Sequence, residues 1–325
     1  MRVAEYDVEA AQGSDALPHD RVALLVRAGD HLLGEEWFDW RRARDDEPLA
    51  ALAVRFGDRL MARTIVRTSD DGAAPTLRVS LVVVTAGDGR ALETTLDAVR
   101  RLDPAPLDTT VVDGAWSWTS IGAGEVVSVL RAGTLPLPGH VAALRRAFRR
   151  RGVGAALGPV LASDLSRSCQ RARARQRADA GMGFQRRLLH RDASLPRPEL
   201  LATTASGHVA VRRDVVGSLP LVEELETTAS PAEVVAALLA RGGVVVHEPD
   251  LAVRASTERR WRSALAGAAA DGEQAVALMR RHPAAFRGSD RRWRLRRTRA
   301  AARAARRGEI GVAVLEAAAV LGSRP

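Results

Sequence analysis

The first feature of this 325-residue sequence that could do chemistry is a carboxylate at the end of an apolar run. Thr109 to Val112 reads as a strand, and Asp113 follows it directly. In open α/β sheets that edge is where ligands bind. Thr85 closes a similar run, Ser80 to Thr85. His208 adds a titratable imidazole able to contact a hydroxyl or a phosphate. Other chemistries find no support. The seven histidines include no pair at helical ligand spacing, so zinc is not indicated. There is no phosphate loop, no Gly-x-Ser-x-Gly elbow and no Cys-His dyad. Gly152 to Gly158 has the look of a dinucleotide loop, but a helix precedes it, Pro159 follows it and its third glycine comes one residue late.

The elements that must position Thr85 and Asp113 are a strand, a helix and a second strand. Ser80 to Thr85 is apolar enough to be buried on both faces, as a parallel strand is, and Gly87 and Gly89 punctuate the turn after it. Leu92, Leu96 and Val99 recur at helical spacing, with Arg90, Glu93, Asp97 and Arg101 on the other face.

These segments, with others in order, resemble the family-2 glycosyltransferases of GT-A fold, which move a sugar from a nucleotide-diphosphate donor to an acceptor. The likeness runs through Val111-Val112-Asp113, Gly124 to Leu130, Leu135 to Gly139 with the helix after it, Gly207 to Arg213, Ala240-Arg241-Gly242, Val244 to Val246, Glu248-Pro249 and Val253-Arg254. It spans roughly residues 78 to 290. It implies a GT-A-like (Rossmann-like) mixed sheet flanked by helices, with Thr85 and Asp113 in a nucleoside pocket and His208 and Arg212 on the acceptor side.

The chain also departs from the family pattern. After Leu130, where the resemblance implies metal-binding aspartates, it reads Arg131-Ala132-Gly133. Hard cations need oxygen ligands, and arginine offers none, so the divalent metal is expected to be lost. The acid pair implied at the start of the last helix is replaced by Ser230 and Pro231, and the stretch between Asp113 and Gly124 is short. Three readings stay open. In the first, the chain is a catalytically impaired relative acting as a scaffold or as the partner of an active glycosyltransferase. In the second, it is an active, metal-independent enzyme for hexosyl transfer, with Arg131 forking onto the donor diphosphate and Glu223, Glu224 or Glu226 as the base within reach of the acceptor hydroxyl. In the third, an arginine-rich tail binds a membrane surface or nucleic acid.

Charge is unevenly spread. From Arg254 onward there are 17 of the 49 basic residues against 6 of the 39 acids, leaving 32 against 33 before it. There is no lysine at all, so clustering of arginine is a stronger signal than its frequency. A single cysteine, Cys169, excludes an internal disulfide. The start of the chain is too acidic for a signal peptide, and Ile310 to Leu321 is too short to cross a bilayer. A cytoplasmic protein, peripheral at the inner face of the membrane in the third reading, is the expectation.

Three regions follow. Residues 1–76 read as a small α+β module and linker: a strand from Val22, a return strand from Leu32 carrying Trp37, Phe38 and Trp40 that are expected to be buried, and a helix from Leu49 to Val66. Residues 77–260 form the glycosyltransferase-like domain, in which the arginines between Asp164 and Arg191 read as a solvated helix face or as a holder of an anionic acceptor. Residues 261–325 are a helical tail broken near Pro283 and Gly288. In it, the arginines from Arg291 to Arg307 surround an interfacial Trp293 and Leu295, the pattern of a peripheral contact with an anionic membrane. Nucleic acid is disfavoured, because aromatic residues make up only 4% of the chain.

Overall fold

The computed structural model describes residues 2–7, 12–13, 21–28, 31–39, 56, 77–85, 87–113, 118, 121–180, 184–190, 201, 208–218, 230–255, 259–286 and 290–322. The chain starts with β1 (Arg2–Asp7), β2 (Gln12–Gly13), β3 (Arg21–Ala28) and β4 (His31–Asp39), which form a sheet in the order β2-β1-β3-β4. The expected β3–β4 hairpin is present. Strand β1 runs parallel to β3, an element that the acidic start of the chain does not advertise. The helix expected from Leu49 to Val66 lies outside the described residues except for Phe56, which is helical and buried. The packing of Trp37, Phe38 and Trp40 lies outside them as well.

The next elements are β5 (Val79–Thr85), α1 (Gly89–Arg100), β6 (Asp108–Asp113), β7 (Val126–Arg131), β8 (Thr134–Pro136), α2 (His140–Ala147), β9 (Val153–Leu157), β10 (Val160–Ala162), α3 (Ser168–Ala180), β11 (Arg187–Leu189), β12 (His208–Arg212), α4 (Arg213–Ser218), α5 (Pro231–Ala240), β13 (Val244–His247) and β14 (Val253–Ala255). Seven of these strands make a mixed sheet in the order β11-β13-β9-β12-β7-β5-β6, while β10, β14 and β8 form a small sheet of their own. The expected α/β architecture is therefore present: a mixed sheet flanked by helices.

Strand β7 is central. It pairs in parallel with β5 on one side and antiparallel with β12 on the other. Val126 to Leu130 are all buried. Side chains alternate along a strand, so Val127 and Val129 enter one core, shared with α5, whereas Val126 and Leu130 enter the other, under α2. Close approaches explain two glycines. Gly122, with φ +70°, and Gly124 lie against Ser80 of β5, where an added Cβ would come within 2.6 and 2.7 Å of its neighbours. Helix α5 is apolar almost throughout and buried on most sides. Its start is fixed by a capping box between Ser230 and Glu233 with Pro231 in the first turn.

The amino-terminal sheet is joined to this domain through Asp250. One carboxylate oxygen accepts the Leu32 amide at 3.0 Å and the other accepts Arg146 at 3.1 Å, while Leu25 and Leu32 lie against Leu161 and Ala252.

The described residues of the tail include three helices, α6 (Trp261–Arg281), α7 (Asp290–Arg306) and α8 (Ile310–Gly322). The break at Pro283 is present, and Gly288 lies outside the described residues. Another break, not expected from the sequence, falls at Gly308, whose φ of +73° ends α7 in the left-handed region. Trp293 corrects the expectation of an interfacial tryptophan. It has no exposed surface and belongs to the larger core cluster, with the Arg297 guanidinium 5.7 Å from its ring centroid. Arg297 in turn donates to Glu316 at 2.9 Å in a buried pair that holds α7 to α8.

Helices α6 and α8 touch at Gly272, where an added Cβ would collide with the backbone oxygen of Ala319. Gly→Ala within a helix ordinarily stabilises by about 0.5–1 kcal/mol. Here Gly272→Ala is expected to destabilise by about 1–3 kcal/mol instead, as overpacking does. Urea unfolding checks this, and a variant as stable as the parent or more so would contradict the helix contact. Gly152→Ala, with open space around it, is the control.

Candidate functional site

Three of the residues singled out in the sequence meet at one edge of the large sheet. Thr85 is the register partner of Asp113, and Val84 is the partner of Arg131, so the last residues of β5, β6 and β7 stand side by side. Asp113 and Arg131 are exposed and Thr85 is half-buried. Parallel strands place their carboxyl ends on the same edge, so this convergence follows from the pairing. The Thr85 hydroxyl also has a local task, accepting the Gly87 amide at 3.3 Å. Gly87 has φ +83°, and Asp88 then caps α1 by accepting the Ala91 amide.

The turn after Arg131 is tied down at each residue. The Ala132 amide donates to the Val84 carbonyl at 2.8 Å. Gly133, with φ +87°, donates to the Thr95 hydroxyl at 2.9 Å and to the Ala91 carbonyl at 3.1 Å. Thr95 is fully buried on α1, and sequence reasoning missed it. Its signal is faint: a hydroxyl in line with Val99 on the buried face of the helix. Arg131, Ala132 and Gly133 bring no carboxylate to this turn, and the Asp113 carboxylate stands two strands away along the same edge.

His208 is next to this edge but beneath it. It pairs with Leu130 in the ladder, and its Nε2 lies 3.1 Å from the Ser128 Oγ. The His140 ring, at the start of α2, meets it edge to face with centroids 4.7 Å apart. Both histidines are fully buried. Neither His140 nitrogen, nor His208 Nδ1, has a hydrogen-bond partner among the described residues. Burial lowers the His140 pKa to about 4. The same loss of solvent, followed by repulsion from His140, holds His208 well below the usual imidazole range. Both rings are therefore neutral near pH 7. The pair escaped sequence reading because His140 and His208 are 68 positions apart and meet only through the β7–β12 pairing.

The other sequence candidates lie elsewhere. Arg212 pairs with Val126, at the opposite end of β7 from Arg131. Its guanidinium donates to the carbonyls of Phe148 and, at 3.2 Å, Val153. Ser230 spends its hydroxyl on the Glu233 amide, and the Glu233 carboxylate is held by Ser230 and Arg281. Glu223, Glu224 and Glu226 lie outside the described residues. Of the arginines between Asp164 and Arg191, Arg173 is buried against Asp271 at 2.6 Å and Arg186 meets Glu248 at 3.2 Å.

No protein-family model matches the sequence, and no curated protein matches it. Solved structures offer distant likenesses. The mannosyltransferase PcManGT from Pyrobaculum calidifontis, in complex with GDP-Man and Mn2+, superposes with a TM-score of 0.42 at 15% identity, over 85% of this chain and 97% of its own. Glucosyl-3-phosphoglycerate synthase from Mycobacterium tuberculosis, with Mn2+, UDP-glucose and phosphoglyceric acid, gives 0.42 at 16% identity, over 64% of this chain and 80% of its own. Likenesses this slight assign no residue and no chemistry to the chain.

The histidine pair sets a pH dependence whose sign can be worked out. A depressed folded-state pKa means that the unfolded chain takes up protons first, so stability is full above the ordinary value of 6.5 and falls as the pH drops toward about 4. Between pH 8 and pH 5, His140 alone should cost about 2 kcal/mol, and His208 acts in the same direction. Unfolding midpoints across that range should fall less steeply for His140→Leu than for the parent. Parallel curves would refute the assignment.

Proposed function

We propose that this chain is a glycosyltransferase-like protein of GT-A type that has lost turnover and acts as a scaffold or partner. The observation that carries the reading is the side-by-side register of Thr85, Asp113 and Arg131 at the carboxyl edge of three parallel strands. Their order along the chain is that of the family pattern, and the edge is where such sheets take ligands. Two features favour lost turnover. The position implied for the base is Ser230, committed to a helix cap, and the neighbouring Glu233 is engaged by Arg281. Trp118 is 3% exposed, within a core cluster against which Val84 and Val112 are packed, immediately behind the edge residues. The partner of such a scaffold would be a protein, an active glycosyltransferase among the candidates.

A second reading is favoured by Arg131. An exposed guanidinium at the expected diphosphate position is a permanent cation with a planar donor fork, suited to phosphate oxygens without a metal. In this reading the chain binds a nucleotide sugar and transfers a hexosyl group, with Asp113 toward the nucleoside. Glu224 or Glu226 would serve as the base.

Titration calorimetry with UDP, GDP, dTDP and their common sugars, with and without manganese, separates the two. The scaffold reading expects no binding at millimolar nucleotide. Metal-independent binding weakened at least about tenfold by Arg131→Ala, the worth of one charge-assisted contact, would replace it with the second. Binding that needs manganese would overturn both.

A further inference from the structure

Helix α7 carries a ridge of arginines along one side. Arg296, Arg299, Arg303 and Arg306 recur at steps of three, four and three residues, and all four are exposed. At about 100° per residue they share an arc of about 80°. That arc is turned away from Arg297, whose guanidinium pairs with the buried Glu316 of α8. Trp293, Arg297 and Ala304 hold the inner side of the helix in the interior, so the ridge is presented by an anchored helix.

No acid answers these charges. Among the described residues none of the four forms an ion pair, and Arg306 spends only its Nε, on the Ala302 carbonyl at 3.3 Å. Glu309, in the turn that follows, lies 3.7 Å from Arg175 of α3, and Glu316 is buried against Arg297. Like charges at these helical spacings repel one another. The ridge therefore destabilises the isolated helix, and a bound polyanion would relieve it.

From this arrangement we infer that α7 binds the phosphate backbone of a nucleic-acid duplex, with the ridge laid along it and no base read. Four guanidinium groups over about 15 Å of helix axis meet a polymer with a phosphate at about every 3.4 Å along each strand. Each planar fork can take two phosphate oxygens at once. An anionic lipid surface is the poorer fit, because the apolar side of α7 is already buried in the protein. Leu295, at the rim of the ridge, is the only large apolar residue that α7 exposes among the described residues. An acidic protein would have to match the line with separate carboxylates, whereas a duplex supplies its charges at fixed intervals. Backbone contact also needs none of the aromatic platforms in which the sequence is poor, since a duplex keeps its bases stacked within. This inference is independent of the reading of the sheet edge.

Fluorescence anisotropy of the full chain with labelled DNA and RNA duplexes of mixed sequence tests it. Both duplexes are expected to bind at low salt, without regard to sequence, with log K falling against log salt at a slope of about −3 to −4 for the four arginines. Arg299→Gln with Arg303→Gln should weaken binding at least about tenfold and flatten the slope by about two. Arg101→Gln with Arg241→Gln, exposed arginines at the ends of α1 and α5, makes the same change in net charge and should leave both quantities unaltered. All four substituted residues are exposed, and unchanged thermal unfolding of the variants would show that folding is intact. Failure to bind either duplex at low salt overturns the inference, as does an equal loss in the control pair. So does binding to poly-glutamate, or to vesicles containing phosphatidylglycerol, as tight as that to the duplexes.

Discussion

The two-sided hydrogen-bond ladder of β7 is the constraint on which the rest of the molecule depends. A five-residue buried run has no water to satisfy its amides and carbonyls, so both edges must be paired. The parallel partner β5 fixes where Thr85 and, through β6, Asp113 end relative to Arg131. The antiparallel partner β12 puts His208 beside Leu130 and sends Arg212 to the far end. A slip of one residue in either ladder would exchange the two core faces. It would pull Ser128 away from His208 and disperse the edge.

A chain with 49 arginines and no lysine must also find room for guanidinium groups inside. They are accommodated in two ways. Arg173 and Arg297 are buried against carboxylates, Asp271 and Glu316. Arg212 and Arg213 instead donate to backbone carbonyls at element ends and in a loop, Phe148 at the end of α2 and Val153 at the start of β9 for the first, Gly124 and Ile121 before β7 for the second. In both cases the planar fork satisfies several acceptors at once, which an ammonium group does less readily. Removing one member of a buried pair leaves a bare charge and costs about 3–5 kcal/mol, so these contacts specify the arrangement even where they add little net stability.

Legibility in the sequence tracked how local the signal was. Strand β5, helix α1 and strand β6 were visible from periodicity and turn residues, and the mixed sheet was expected from the family resemblance. Thr85 and Asp113 were legible for the same reason, since each sits at the end of an apolar run, whereas Arg131 stood out only through the family resemblance, as the residue found where aspartates are implied. What stayed hidden depends on contacts between distant segments. Arginines on both sides of Trp293 suggest an interfacial side chain, but the helix turns that ring into the core and leaves Leu295 outside, 49% exposed. The two-residue offset between Trp293 and Leu295 carries a side chain about 200° round a helix, from inside to outside, yet composition around a residue does not reveal which face it takes. Thr95 and the His140–His208 pair were missed because a hydroxyl or imidazole becomes informative only once its surroundings are known to be dry.

The joint at Asp250 bears on the order in which the chain assembles. The Leu32 amide and the carboxylate that receives it are 218 residues apart. On the ribosome the first sheet is therefore made long before its seat exists, and it must persist with that face uncovered while most of the domain emerges. Loop closure over such a span rises only logarithmically with length, so the entropic penalty is modest. Timing is the larger burden, because contacts of high sequence separation form late. The earliest-made element is thus among the last to be fastened, and the interval before docking is when a nascent chain would be most exposed to proteases and to stray strand pairing.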